Sequence, residues 1–298
     1  MNDFIAAVAA SFRAPIGGVL FTLEEAFSPS ATSNVAKSFC CAVVTFLTVS
    51  IVTRTLNKGK DEVSSYFSFG KFSDVSVDGV QDYYLYDLGG FLLVGLTGGL
   101  FGGLFVILTS WLFKYRNRNN IGIGYNLGKR FAEVMIVCMA TAWLTFTVPI
   151  IWSVCTTIPN TEELNLSTDE EELVADLVQY NCPHGTYNEA ASLLFVDYTV
   201  SIRMLFHHRE RVAAQTFSLL TLTIVFVPYF LFSIYTNGIT ACLGSFVPLL
   251  ISGALMGRMI GVGLHVAFPN YIADSGTYAL VGAASFLGGS CRNLFRYV

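Results

Sequence analysis

The sequence predicts an all-α protein that crosses a membrane several times. Of the 298 residues, 53% are hydrophobic and 13% are charged, and the mean hydropathy is +0.58. Soluble domains typically carry about 25% charged residues. Most apolar segments also lack the amphipathic or alternating pattern of a soluble fold. Residues 1–298 are therefore predicted to form one polytopic membrane domain, with no soluble domain.

Four segments are long enough to cross a bilayer core of about 30 Å, which takes about 20 apolar residues. In chain order they are residues 35–53, 88–112, 131–155 and 214–236. The second contains GLTGGLFGGLF, whose small residues recur on one helix face. Such a face predicts close packing against another helix.

Three further segments are apolar but short or interrupted. Residues 14–27, APIGGVLFTLEEAF, contain Pro15 and two glycines, and residues 241–264 contain Pro248, Arg258 and four glycines within residues 244–261. Residues 278–289 are too few to span. Short hydrophobic segments broken by proline and glycine are typical of discontinuous helices that end within the membrane at a binding site.

Charged loops predict the orientation. The loop at residues 114–130 is basic and has no acidic residue, so the positive-inside rule makes it cytosolic; its cations are Lys114, Arg116, Arg118, Lys129 and Arg130. The loop at residues 154–213 is predicted to be luminal. Its acidic part, residues 156–189, contains eight carboxylates and no Lys or Arg.

The predicted luminal loop contains sites for two modifications. Asn165 begins NLS, the only Asn-x-Ser/Thr acceptor for N-glycosylation in the chain. Cys155 and Cys182 bracket the acidic part, where an oxidising lumen could join them in a disulfide or leave them as free thiols. The other five cysteines are interpreted as small apolar side chains.

Several blocks resemble the CLC family of chloride channels and chloride/proton exchangers. They are APIGGVLFTLEE at residues 14–25, GSFVPLLISGALMGRMIG at 244–261 and SGTYALVGAASFLGG at 275–289, in the family's order. NCPHGTYNEAASLLF at 181–195, followed by IRMLFHH, is similar to the luminal loop of the endolysosomal branch. The resemblance covers essentially the whole chain. It implies a homodimer in a lysosomal or late endosomal membrane, with one ion pathway in each subunit.

GSFVP carries the predicted anion site. Gly244 and Pro248 surround a point where a helix can begin inside the membrane. The first amides of such a helix lack internal partners and form the positive end of its dipole, which suits a desolvated chloride. The resemblance implies that the backbone N–H groups of Ser245 and Phe246 help to form the central anion site. The alternative is that GSFVP only begins a packed helix.

Arg258, next to Gly257 in the GALMGRMIG motif, admits two interpretations. As a cation in an apolar segment it could bind the anion. It could instead pair structurally near a helix end. The structural role is favoured, because a fixed arginine in the path would bind chloride too tightly to release it quickly.

Glu24 and Glu25 end the first block. A carboxylate near the membrane interior is costly when ionised and unpaired, so its neutral form is favoured and it can carry a proton. The resemblance places Glu25 at the inner proton-transfer position of the family's exchangers, which several channels replace with a residue that is not acidic. This favours an exchanger over a channel. Glu24 is interpreted as the structural end of a helix.

The sequence indicates no cofactor beyond the transported chloride and protons. His207 and His208 are adjacent, so on a helix they would point in different directions, and no third metal ligand is evident. There is no basic patch typical of nucleic-acid binding, and no motif indicates an enzyme. Membrane lipid and CLC subunits are the expected partners.

The family pattern extends beyond this chain. GSGIP and GKEGP segments should precede residue 14, and an anion-coordinating tyrosine and two CBS modules should follow residue 298. We therefore expect a partial product or a diverged paralogue that does not exchange ions alone. The alternatives are a channel fragment and a non-conducting subunit that pairs with full-length CLC proteins.

Overall fold

The computed structural model describes seven stretches of the chain. They are residues 35–56, 85–118, 127–158, 176–206, 217–237, 244–268 and 275–294, with the single residues Ala10, Gly17, Val19, Val174 and Ile239. The chain divides into two compact units, within residues 1–68 and within residues 69–297. Among the described residues, the first unit contains one long helix and the second contains the other elements.

Helices account for most of the described residues. In the first unit, α1 comprises Val35–Leu56. The second unit contains α2 (Leu85–Arg118), α3 (Leu127–Ile151), α4 (Glu189–Leu194), α5 (Tyr198–Phe206), α6 (Leu219–Thr236), α7 (Phe246–Ala267) and α8 (Ser275–Leu294). Between α3 and α4, strands β1 (Cys155–Thr157) and β2 (Thr186–Asn188) pair antiparallel. The predicted helical membrane fold is confirmed, and the small sheet is a feature that the sequence did not indicate.

Four described helices are long and apolar enough to cross a membrane. They are Asp87–Arg118, Gly128–Ile151, Leu219–Thr236 and Phe246–Ala267. Three correspond to the predicted spans at residues 88–112, 131–155 and 214–236, and the fourth lies in the segment predicted at 241–264. The remaining predicted span, residues 35–53, is helical as part of α1, but its apolar stretch Phe39–Val49 is shorter than the other four.

The last two helices are more regular than their sequences indicate. α7 runs unbroken for 22 residues, because Pro248 lies in its first turn, where an N–H would have no helical acceptor. α8 is 20 residues long, so the 12-residue apolar block at 278–289 is only its central part. The position of the start of α7 relative to the membrane stays a prediction.

Glycines allow α7 and α8 to pack closely. A Cβ added at Gly253 would lie 2.7 Å from the Cα of Ala283, and one at Gly261 would lie 3.2 Å from the Cα of Ser275. Neither distance leaves room for a methyl group. Since the contacted residue number falls along α8 as it rises along α7, the two helices are antiparallel.

α2 packs on α8 through the predicted small-residue face. A Cβ at Gly90 would lie 2.8 Å from the Tyr278 ring, and one at Gly102 would lie 2.9 Å from the Ser290 nitrogen. The two helices are therefore parallel, and the prediction of close packing is confirmed. A Cβ at Gly99 would meet nothing within 4 Å, so only part of GLTGGLFGGLF forms this face.

Aromatic rings join α6 to the same group of helices. The ring centroids of Phe101 and Phe226 are 5.9 Å apart, and those of Phe230 and Phe286 are 6.0 Å apart. Phe105 packs on both Phe230 and Phe286. The apolar core of the second unit therefore lies between α2, α6, α7 and α8.

Candidate anion-binding site

The candidate anion site is the beginning of α7. The helix starts at Phe246, and Ser245 precedes its first turn with φ −81° and ψ −18°. The Ser245 side chain makes no capping hydrogen bond, and the first turn contains no acidic residue. The first N–H groups of a helix form the positive end of its dipole. This end of α7 therefore has the polarity that an anion site at the N–H groups of Ser245 and Phe246 requires.

Pro248 determines which amides face that end. The Leu249 N–H donates to the Ser245 carbonyl oxygen at 3.2 Å and closes the first turn. Proline has no N–H. The backbone donors that precede this first hydrogen bond are therefore confined to residues 245–247. Gly244, which the sequence assigns to the entry of the helix, is exposed.

A cavity of about 310 Å³ lies along the first half of α7, which lines it with Pro248, Ile251 and Leu255 but not with Ser245 or Phe246. α3, α6, α7 and the α4–α5 segment contribute its walls, and both Pro248 and Thr236 line it. Every described residue that lines the cavity is uncharged. The hydroxyls of Thr145 and Ser233 donate to carbonyls of their own helices, at 2.8 and 2.7 Å. An anion in this cavity would meet neither a repelling carboxylate nor a strongly binding cation.

Arg258 lies outside this cavity and is structural. Its side chain is 1% exposed, and Nη1 donates to the Met204 carbonyl oxygen at 2.7 Å and to that of Leu205. These carbonyls belong to the last turn of α5, where a helix carries the negative end of its dipole. The guanidinium also lies 5.3 Å from the centre of the Phe217 ring. Arg258 thus ties α7 to the end of α5 and the beginning of α6. It pairs with backbone carbonyls as the favoured interpretation expects, but it lies in the interior of α7 and not near an end of that helix.

Gly257, the residue before Arg258, allows α7 to pack closely against α8. A Cβ at this position would lie 2.9 Å from the Gly282 Cα of α8. The crowding atoms belong to the backbone, so a side-chain rotation does not relieve it. Gly257 therefore holds α7 close to α8, and it lies one helical turn beyond Gly253 on the same face.

Cys155 and Cys182, which the sequence singles out, meet in a small region that joins β1 and β2. Cys155 of β1 and Cys182 form a disulfide with a Cα–Cα distance of 5.7 Å and a sequence separation of 27 residues. In the sheet, Cys155 pairs with Asn188 and Thr157 pairs with Thr186. We call this region, residues 155–158 and 176–188, the disulfide cap. It lies at the end of α3 that is opposite to the basic loop.

Asn188 joins the disulfide cap to the helices, a role that sequence reasoning missed. Its Oδ1 accepts from the Ala190 and Ala191 N–H groups at 3.1 and 3.2 Å and caps α4. Its Nδ2 donates to the Pro149 and Tyr180 carbonyl oxygens at 3.2 and 3.1 Å. An asparagine before a run of small helix-forming residues is a capping signal, so the TYNEAAS pattern could have indicated it.

Glu189 is a second missed residue. Although it was counted with the acidic loop, it is 2% exposed. Its Oε1 accepts from the Thr156 hydroxyl at 2.7 Å, and its Oε2 accepts from the Ser218 N–H at 2.8 Å. Burial, reinforced by this carboxylate, raises the pKa of Tyr187 above its ordinary value. Glu189 therefore links the disulfide cap to the beginning of α6, and no local sequence pattern distinguishes it from the other acidic residues of the loop.

Several predicted residues lie outside the described stretches. They are Glu24, Glu25, the glycosylation acceptor Asn165, and the pair His207 and His208. Within the described part of the chain, no group of three or more His, Cys, Asp or Glu side chains could hold a metal ion. The proton-transfer role of Glu25 and the glycosylation of Asn165 stay predictions.

Comparison with known proteins identifies the family to which this arrangement of membrane helices belongs. The family described as voltage gated chloride channel matches residues 5–297. The chain belongs to this family. Chloride channel protein CLC-d of Arabidopsis thaliana is 33% identical over 293 residues, which cover 96% of this chain and 36% of that protein.

Two further relatives extend the comparison. Chloride channel protein C of Dictyostelium discoideum is 31% identical over 300 residues, covering 98% of this chain and 37% of that protein. H(+)/Cl(-) exchange transporter 7 of Mus musculus is 30% identical over 303 residues, covering 98% of this chain and 34% of that protein. This chain therefore spans about a third of the length of the curated relatives it matches. By name, two of these relatives are chloride channel proteins and one is an exchange transporter.

Proposed function

We propose that this chain supplies the anion-binding helix of a chloride transport unit. The observation that carries the proposal is the beginning of α7, whose first turn has neither an acidic residue nor a capping bond from Ser245. A cavity whose described lining is uncharged reaches Pro248 in the same first turn. Backbone N–H groups and a helix dipole attract an anion without the full charge of Arg or Lys, so the ion can also leave.

A chimera tests the anion site. Residues 1–298 would replace the matched segment of the mouse exchange transporter, and chloride efflux from liposomes would be measured against chloride concentration. Ser245→Pro removes one N–H, and the φ of −81° at this position is compatible with proline. Ser245→Ala retains the N–H and is the matched control.

The two variants should differ in chloride affinity. A hydrogen bond to a charged partner contributes about 1.5–3 kcal/mol, so Ser245→Pro should raise the half-saturating chloride concentration about tenfold or more. Ser245→Ala should change it less than about twofold, since the side chain makes no capping bond. Equal half-saturation for the unsubstituted chimera and Ser245→Pro would contradict the proposed site.

Within chloride transport, we propose proton-coupled exchange with Glu25 as the inner proton carrier. Its position at the end of APIGGVLFTLEE supports the proposal, and one relative is a chloride/proton exchange transporter by name. In the chimera, Glu25→Gln should abolish proton movement and preserve chloride flux. The channel alternative predicts chloride flux without proton movement before any substitution, and proton movement that Glu25→Gln leaves unchanged would remove Glu25 from the pathway.

We propose a lysosomal or late endosomal location, with residues 114–130 cytosolic and residues 154–213 luminal. The disulfide supports a luminal face on the side of the cap, and the basic residues lie at the other end of α3. Glycosylation at Asn165 would follow from this orientation. Loss of a glycosidase-sensitive mass shift in Asn165→Gln would support this orientation. A cysteine introduced in residues 119–126 that reacts with a thiol reagent added on the luminal side would contradict it.

The assembly is proposed to be a dimer, either of two like subunits or with a full-length CLC subunit. A non-conducting subunit that pairs with full-length CLC proteins is the alternative function. Copurification of the untagged chain with a tagged full-length CLC protein tests that alternative. Chloride flux that falls with increasing amounts of the short chain would favour it over direct transport.

A further inference from the structure

Arg116 has a different environment from the other cations of the basic loop. Lys114, Arg118 and Lys129 are exposed, as a topology signal requires. Arg116 is only 4% exposed. Burying an arginine is costly unless its donors are paired, so this side chain has a role beyond the orientation of the chain.

The Arg116 guanidinium joins the ends of three helices. From the last turn of α2, its Nε donates to the Glu133 carboxylate near the beginning of α3 at 2.8 Å. Its Nη1 donates to the Asn237 carbonyl oxygen at 2.9 Å, and its Nη2 donates to that of Tyr235. The Tyr235 ring lies 4.9 Å from the guanidinium carbon.

These contacts use the shape of the guanidinium as well as its charge. Two carbonyls at the end of α6 accept from its two terminal nitrogens, while the third nitrogen faces a carboxylate that neutralises it. The C-terminal end of a helix also favours a cation through its dipole. A lysine ammonium is a point charge on a flexible chain and does not reproduce this planar set of donors.

The end of α6 is next to the beginning of α7. Only residues 238–243 separate Asn237 from Gly244, and both Thr236 and Pro248 line the 310 Å³ cavity. Farther along the same helix pair, a Cβ at Gly263 of α7 would lie 3.7 Å from the Leu219 side chain. A shift of the α6 end would therefore change where the first turn of α7 points its N–H groups.

We propose that Arg116 is a positioning residue for anion binding, and that Glu133 fixes its orientation. By holding the last carbonyls of α6, the guanidinium sets the position of the α7 start without contacting the anion. This proposal rests on the proposed chloride site at Ser245 and Phe246. Misplacing a binding group by about 1 Å can reduce the rate of a reaction about a hundredfold. A small movement of the α7 start is therefore sufficient to weaken anion binding, even though Arg116 does not contact the anion.

Chloride efflux from the same liposome-reconstituted chimera tests the proposal. Arg116→Lys should raise the half-saturating chloride concentration at least about fivefold, while the maximal flux per folded protein changes less. Arg118→Lys, two residues away and exposed, is the matched control and should leave both values unchanged. Glu133→Gln retains an oxygen that can accept from Nε, so it should fold and raise half-saturation about twofold.

The readouts separate positioning from simple support of the fold. A structural role alone predicts less folded protein or a lower melting temperature with unchanged half-saturation, and this outcome in both Arg116→Lys and Glu133→Gln would overturn the proposal. If Ser245→Pro weakens chloride binding and Arg116→Lys does not, the positioning role fails and the chloride site stands. If Ser245→Pro has no effect, the proposed site fails first, and an effect of Arg116→Lys then has another origin.

Discussion

Replacing Gly102 with alanine tests the contact between α2 and α8. The added Cβ would lie 2.5 Å from the Phe286 carbonyl oxygen and 2.9 Å from the Ser290 nitrogen. Ordinary contacts of carbon with heavy atoms begin at about 3.5 Å, so the helices must separate by about 0.6–1.0 Å. The crowding atoms are backbone atoms, and no rotamer change can remove the clash.

The loss of stability in Gly102→Ala has two sources, which are overpacking and the loss of dispersion contacts between the two helices. A gap of 0.5–1 Å forfeits about a quarter to a half of each contact energy along the helix pair, and overpacking typically costs about 1–3 kcal/mol. Alanine also favours a helix by about 1 kcal/mol relative to glycine. Gly99→Ala receives the same helical gain without a clash, because its Cβ meets nothing within 4 Å. Gly102→Ala should therefore be about 1–3 kcal/mol less stable than Gly99→Ala.

Unfolding in mixed micelles can measure this difference. The 298-residue chain would be titrated from a mild detergent into sodium dodecyl sulfate, with unfolding followed by tryptophan fluorescence. The midpoint for Gly102→Ala should fall below that for Gly99→Ala. Equal midpoints would show that the helices do not pack at the described distance, and the reasoning about the small-residue face of α2 would be refuted.

Three other substitutions address the remaining contacts. Arg258→Lys should destabilise the chain by about 2–3 kcal/mol, because an ammonium does not reproduce both the Nη1 contacts with two carbonyls at the end of α5 and the stacking of the guanidinium over the Phe217 ring; an unchanged melting temperature in detergent would contradict this. Glu189→Gln should cost about 1–3 kcal/mol by placing a donor where two donors now converge, while the exposed Asp197→Asn should be neutral by the same measurement. Cys182→Ser opens a loop with a separation of 27 residues and should cost about 3.5 kcal/mol in the chain-entropy treatment. Faster proteolysis after Tyr180 in the variant would support that value, and identical digestion of reduced and oxidised protein would oppose it.

The elements that the sequence predicts best depend on local composition. The spans predicted at residues 88–112, 131–155 and 214–236 correspond to α2, α3 and α6 because their length and hydropathy suffice, although α3 ends at Ile151 and α6 begins at Leu219. The start of α7 follows from the proline of GSFVP. The full length of α8 was missed, since only its central block is continuously apolar. The pairing of β1 with β2 was also missed, because three-residue strands in an acidic loop carry too little pattern to detect.

By itself, the sequence determined the membrane class, the helices that can span, the family blocks and the polarity of the α7 start. These properties depend on hydropathy, on the missing N–H of Pro248 and on residues close together in the chain. Only the tertiary structure decided which polar residues are buried and what they bind. Arg116 reaches a carbonyl 121 residues away, Arg258 reaches one 54 residues away, and Glu189 contacts residues on both sides of its loop. These partners come together only when distant helix ends pack against each other. A charged residue that the sequence assigns to a solvent-exposed loop can therefore be buried in the folded protein.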